Sequence, residues 1–175
     1  MDFIRLNEHI TLSEITPKDI DSFVEFLNEK EIYINTLTIP FPYTKENSEW
    51  FVSFVKKNKK EHGRIITWAI RNKEEKLIGV VGFDNGIDGH KAEIGYWLAK
   101  PYWKKGIMSE AVKKICEIGF NEFGLSRITA NVFEQNIGSA RVVEKCGFTL
   151  EAACLKNYYK KDGKLFNGKL YAKTI

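Results

Sequence analysis

Glu93-Ile-Gly-Tyr-Trp-Leu-Ala-Lys-Pro-Tyr-Trp-Lys-Lys-Gly-Ile-Met-Ser-Glu-Ala111 holds a strand, a turn and a helix start within nineteen residues. Its first part is apolar and β-prone, and Pro101 stops the strand near Ala99. From Lys105 to Phe123 the residues Met108, Ala111, Val112, Ile115 and Cys116 recur at helical spacing, which predicts one apolar face of a long helix. The first amides of a helix have no intrahelical acceptors, and the dipole adds partial positive charge there. An anion such as a pyrophosphate satisfies both needs. Gly106 lets the backbone approach it closely, and Lys104 and Lys105 add cationic charge beside the turn.

On the N-terminal side, Ile10 to Ile15 alternates as a first strand. Thr16-Pro17-Lys18-Asp19 supplies an N-cap, a first-turn proline and an acid for a helix with Phe23, Phe26 and Leu27 on one stripe. Ile34 to Tyr43, with two prolines, reads as an extended loop. Thr44 caps a second helix with Trp50, Phe51, Phe54 and Val55 on one face. Strands follow at Ile65 to Ile70, Lys76 to Phe83 and Ala92 to Ala99, the last two joined through Asn85-Gly86 and Asp88-Gly89. On the C-terminal side, Arg127 to Phe133 is β-rich, Asn136 to Cys146 is a short helix stopped by Gly147, and strands flank Asp162-Gly163. The order predicts an α/β sandwich with a mixed sheet, and the absence of repeats or linkers predicts one domain over 1–175.

Composition narrows the function. Twelve Phe, seven Tyr and four Trp fit an ordered chain, and a net charge of +4 is too mild to imply nucleic acid. Six Lys against one Asp from Lys156 to Ile175 make a basic tail, which reads either as a solvated hairpin or as a field for an anionic ligand. Cys116, Cys146 and Cys154 show no metal or redox spacing and read as small buried apolar residues of a reducing compartment; His9, His62 and His90 are scattered. The N-terminus has no apolar signal region, and Leu77 to Phe83 is too short to span a bilayer. A cytoplasmic, metal-independent protein without membrane contact is expected.

Ala92-Glu-Ile-Gly-Tyr-Trp-Leu98, Pro101 to Ala111, and Asn136-Ile-Gly-Ser139 leading to Gly147-Phe148 together resemble the GNAT superfamily of acetyl-CoA-dependent N-acetyltransferases. With Leu12 to Asp19 and Ile39-Pro-Phe-Pro-Tyr-Thr44, the likeness spans nearly the whole chain and is similar to the RimJ/RimL-like branch, which acetylates ribosomal-protein N-termini. The resemblance implies a mostly antiparallel sheet flanked by helices, with a splayed central strand pair that frees backbone groups for pantetheine. It implies acetyl-CoA contacts at Leu98, Ala99, Trp103, Lys104, Lys105, Gly106, Ile107, Met108, Ser109 and Asn136. It also implies an acceptor amine, on a protein N-terminus or a small molecule, lined by Ile34 to Tyr43 and the late hairpin. Asn167 stands where the branch often has Asp. At the turn Trp103 replaces the usual Arg or Gln, Met108 replaces Gly or Ala, and Lys104 replaces a frequent glycine.

Acetyl transfer from a thioester needs a neutral amine, a stabilised oxyanion and a protonated leaving thiolate. A free strand amide near Leu98 would serve the carbonyl. Glu93 shares a strand face with Gly95, Trp97 and Ala99 and is the candidate base, through a water, or else a surface Glu opposing a Lys. Many superfamily members carry a tyrosine acid where this chain has Val143. Ser139 is the candidate in its place, or else a third-position partner of an Asn136 cap; Tyr158 and Tyr159 are weaker candidates. Arg141 or Lys145 would meet the nucleotide end or be solvated. An acyl-CoA-binding module with little turnover is the alternative function, and exposed sheet edges make a homodimer one expectation for assembly.

Overall fold

A computed structural model describes residues 3–175, apart from the side chains at 85, 86 and 88. The elements are β1 Phe3–Arg5, β2 Thr11–Glu14, α1 Ile20–Leu27, α2 Lys30–Ile34, α3 Lys45–His62, β3 Thr67–Arg71, β4 Leu77–Asp88 and β5 Lys91–Leu98. They continue with α4 Ile107–Asn121, β6 Arg127–Phe133, α5 Ile137–Lys145, β7 Thr149–Lys161 and β8 Lys164–Thr174. The strands make one sheet in the order β1-β2-β3-β4-β5-β6-β8-β7. Every adjacent pair is antiparallel except β5 and β6. A parallel neighbour requires a crossover, and α4 supplies it.

The β5–β6 pair sets the architecture. It holds only for Lys91↔Arg127, Ala92↔Ile128 and Glu93↔Thr129, after which the two strands part. Strand alternation then sorts the core. Ile94 and Leu98 pack with Met108, Val112 and Ile115 of α4 and Val143 of α5 on one face of the sheet. Trp97 and Ala99 pack with Phe23 and Leu27 of α1 and Val52 and Val55 of α3 on the other. Val112 and Ile115 are fully buried, each contributing about 1.5–3 kcal/mol of apolar transfer energy.

Four local expectations change. A short helix, α2, precedes the loop, with the Glu29 carboxylate accepting from the Glu31 amide as its cap. In α3 the buried stripe is Ser48, Val52 and Val55, while Trp50 and Phe54 are 66% and 38% exposed and stack on each other at 5.3 Å. Rows i, i+4 and i+7 face the sheet, and Trp50 and Phe54 form the adjoining row. In β4 the strand runs on to Asp88, so Asn85 and Gly86 lie within it rather than in a turn, and their side chains lie outside the described ones. Cys116 and Cys146 are buried, whereas Cys154 is exposed on β7.

One buried ion pair ties the first half of the sheet to the helical layer. Asp19 and Arg71 are only 4% and 9% exposed, and the guanidinium donates to both Asp19 oxygens at 2.6 and 2.9 Å. It also donates to Ser13 Oγ and to the carbonyls of Glu14 and Glu75. The planar fork thereby joins β2, the turn at Thr16 and the β3–β4 hairpin. Removing one partner leaves a buried charge alone. We expect Asp19→Ala to lower unfolding free energy by roughly 3–5 kcal/mol in urea titrations; a loss under about 1 kcal/mol would place the pair among the solvated ones.

Candidate active site

The parting of β5 from β6 leaves backbone groups unpaired along one edge of β5. Ala99 N–H bonds Ile78 O at 2.8 Å, and Leu98 lies opposite Gly79. Alternation of antiparallel bonding therefore turns the Leu98 N–H and C=O away from β4, toward the split. The carbonyl is taken by the Trp103 indole N–H at 2.6 Å, which leaves the amide as the donor facing the gap. Trp103, unusual at this position, thus fastens the turn to the end of β5. Ala99, among the expected cofactor contacts, has both backbone groups bonded within the protein. Its amide serves Ile78, its carbonyl accepts from Tyr102 N–H at 2.9 Å, and its side chain is fully buried.

Beyond the turn, the Glu110 N–H to Gly106 O bond at 3.1 Å is the first rung of α4. The amides of Ile107, Met108 and Ser109 precede it, so no intrahelical carbonyl accepts from them. Gly106 caps the helix at φ 81°, and a Cβ there would meet nothing within 4 Å. Lys104 sits at φ 61°, in the small left-handed well that L-residues tolerate, and Lys105 lies 5.4 Å from the Tyr102 ring centre. The side chains of Ile107 and Met108 are buried in the core, so these two residues offer backbone alone.

Asn136 and Ser139 come from the start of α5. Asn136 Oδ1 accepts from the Ser139 amide at 3.0 Å, the capping role, and its Nδ2 donates to Asn35 O at 3.3 Å. The Ser139 amide is therefore used by the cap while its hydroxyl is not. That hydroxyl lies 2.8 Å from the hydroxyl of Tyr96 on β5, a residue absent from the expected site. Burial pushes the Tyr96 pKa well up, so the phenol keeps its proton. Val143, where the resemblance implied a tyrosine, is fully buried in the core. The phenol beside Ser139 comes instead from the strand, and it was readable as the Tyr of Glu93-Ile-Gly-Tyr-Trp once the fold placed the far strand face against α5.

On the opposite face stands Glu93, half-buried. It faces not a lysine but Asp84 on β4 and Thr129 on β6. The Asp84 carboxylate lies over Gly95; a Cβ on that glycine would fall 1.8 Å from Oδ2. Asp84 as a residue is exposed, while protein crowds its carboxyl group over Gly95. This crowding, with the negative field of Glu93 added, pushes its pKa up to about 7 from 3.8. Of the late-hairpin tyrosines, Tyr158 is exposed and Tyr159 buried. Asn167 is structural: it bonds Glu134 Oε2 and the Asn157 amide. Lys161 of the basic tail donates to the carbonyls of Tyr33 and Thr36 and covers the Tyr33 ring, clasping the hairpin to the loop that begins at Ile34. A groove of about 1040 Å³ near Arg71 and Trp68 shares no residue with the split.

Residues 9–149 match the family model described as acetyltransferase (GNAT) domain. YoaA of Bacillus subtilis (strain 168), named an uncharacterized N-acetyltransferase, is 38% identical over 111 residues, 62% of this chain and 62% of that protein. The ribosomal-protein-serine acetyltransferase of Escherichia coli (strain K12) is 34% identical over 104 residues, 59% of this chain and 58% of that protein. The match thus spans less than two-thirds of either curated relative. A solved structure of the microcin C7 self-immunity acetyltransferase MccE, in complex with acetyl-CoA and AMP, superposes with a TM-score of 0.85 at 28% identity. That likeness covers 98% of this chain and 96% of MccE. The chain belongs to the GNAT acetyltransferase family, whose members draw the acetyl group from acetyl-CoA.

The raised Asp84 pKa has a consequence for stability. A carboxyl that binds its proton more tightly folded than unfolded stabilises the fold relative to its ionised form at low pH, and that advantage disappears as pH rises toward 7. Asp84→Asn removes the ionisation. Its melting temperature should exceed that of the wild type at pH 8, with the pH-dependent part of the gap closing toward pH 4 in parallel thermal scans; a gap independent of pH would contradict the shift.

Proposed function

We propose that the protein transfers the acetyl group of acetyl-CoA to a primary amine by direct attack in a ternary complex, with the domain taking in the whole of 1–175. The observation that carries this reading is the split. Where β5 has parted from β6, the Leu98 amide is turned away from β4, and the helix-start amides of Ile107, Met108 and Ser109 precede the first rung of α4. The acetyl-CoA chemistry of the family supplies the thioester and the anionic pyrophosphate that such donors fit. The Leu98 amide would polarise the thioester carbonyl, and the α4 amides with Lys104, Lys105 and Gly106 would hold the pyrophosphate. Asn136 would meet the pantetheine arm while keeping its cap.

The two sides of the split then have different work. On the α5 side, Ser139 would pass a proton to the departing sulfur, positioned and resupplied by Tyr96 at 2.8 Å. On the opposite side, Glu93 and its neighbours would handle the amine. The ribosomal-protein acetyltransferase relative, together with the RimJ/RimL-like motifs, favours a protein N-terminus over other amines as acceptor. No helix is long and apolar enough to cross a membrane among the described residues, and the three cysteines are unpaired; both suit work in the cytoplasm.

Calorimetry should show acetyl-CoA binding in the micromolar to millimolar range, and thiol release should follow with some member of an amine and peptide panel. Absence of binding at millimolar acetyl-CoA would refute the reading, and binding without thiol release on any acceptor would make the chain an acyl-CoA-binding module. Ser139→Ala should slow turnover on the order of 10²-fold with acetyl-CoA affinity nearly intact. Unchanged turnover would leave Ser139 with the cap alone, which its backbone amide serves in either variant.

A further inference from the structure

We propose that Asp84, rather than Glu93 alone, takes the proton from the acceptor, and that Asp84, Glu93, Asn131 and Tyr159 form one pocket for a primary ammonium group. The proposal rests on the acetyl-transfer reading above. It begins with register. Glu93 is the last residue of β5 paired with β6, and Gly95 is the next on its face, beyond the point of parting. Because Gly95 has no side chain, the Asp84 carboxylate from β4 occupies that space. Asp84 thereby stands at the level of the open split, while Glu93 stands at its closed end.

Two unpartnered polar atoms face the same region. Asn131 lies two residues past Thr129 on β6 and therefore on the same face, and its Oδ1 is buried without a hydrogen-bond partner. Tyr159 is only 9% exposed, and its hydroxyl is likewise buried without a partner. Its ring crosses β8 at Gly168, where a Cβ would approach it to 2.7 Å, and meets Phe133 of β6 edge-on at 4.7 Å. The charge of Glu93 helps raise the Tyr159 pKa, behind the larger effect of burial, so the hydroxyl lies within the field of that carboxylate. A buried polar atom without a protein partner is costly and calls for a partner from outside the chain, a water or a bound polar group. Two carboxylates, an amide oxygen and a phenol oxygen offer acceptors, which fits a group that brings several N–H donors and a positive charge.

The chemistry balances. The bound ammonium gives one proton to Asp84, and the freed lone pair forms the C–N bond at the thioester carbonyl carbon. The C–S bond breaks, and the second nitrogen proton reaches sulfur through Ser139. Asp84 then returns its proton to solvent. A carboxyl titrating near 7 lies about one unit below an α-amino group and more than three below a lysine side chain, so the transfer favours α-amines. Among the described residues, Glu93 from β5 is the charged group that acts on Asp84, and it acts likewise on Tyr159 from β7.

The test is carbon-13 NMR of aspartate-labelled protein saturated with coenzyme A. One carboxyl resonance, missing in Asp84→Asn, should titrate near neutrality and move to lower pH in Glu93→Gln. Addition of L-alaninamide should lower its midpoint by about one pH unit relative to sodium chloride at matched ionic strength. Tyr159→Phe should weaken that response. With any amine that supports thiol release, kcat/KM should rise with pH through the same midpoint, and Asp84→Asn should abolish the rise. An ordinary carboxylate midpoint, no response to alaninamide beyond salt, or a pH limb that survives in Asp84→Asn would each overturn the proposal. Failure to bind acetyl-CoA would instead sink the acetyl-transfer reading and leave this titration readable by itself.

Discussion

After Glu93 and Thr129 the two central strands stop pairing, and much of what this protein does depends on that parting. A backbone amide inside a sheet is ordinarily consumed by its neighbour. Here the crossover through α4 returns β6 parallel to β5 and then lets it diverge, so Leu98 keeps a donor for something other than protein. The divergence begins directly after Glu93, beside Asp84 on the neighbouring strand. The proposed donor and acceptor sites would lie on opposite faces of one strand, three residues apart at Tyr96 and Glu93.

Other features hold that gap in place. The Trp103 indole binds the Leu98 carbonyl and fixes where β5 ends. On the α5 side, the Asn136 cap fixes the first turn and with it the Ser139 hydroxyl. Across the sheet, Lys161 and the Tyr33–Asp162 hydrogen bond tie the late hairpin to the segment after α2. The Arg71–Asp19 pair performs the equivalent service in the first half of the sheet, between β2, β3 and the turn at Thr16. Charges are paired at Arg71, whereas the carboxyl groups of Asp84 and Glu93 stand on neighbouring positions of β4 and β5.

Much of the fold was legible in local pattern. The Thr16 and Thr44 caps, the Gly147 stop, the apolar stripe of α4 and the Asp162-Gly163 turn all carry their signals within a few residues, and the helices and hairpin fell where those signals put them. The short α2 was missed because its cap is a glutamate, and the outward row of Trp50 and Phe54 because hydrophobicity alone does not say which stripe meets a sheet. At the site, the turn and helix start were readable because sequence neighbours form them. Tyr96, Asp84 and Asn131 were not, since their roles come from cross-strand register and from a helix forty residues away. Asp84 had a faint signal: a glycine two residues after Glu93 on the same strand face leaves a hole that a neighbouring strand can fill. Ala99 went the other way, because its expected freedom disappears once β4 and Tyr102 are in place.

The account stands on acetyl-CoA entering the split, and amide hydrogen exchange resolved by residue tests it most directly. Saturating acetyl-CoA should slow exchange at Leu98 and at Ile107, Met108 and Ser109 while leaving β1 and β2 unchanged. Binding that leaves those four amides as fast as before, and protects instead the groove beside Trp68 and Arg71, would contradict it.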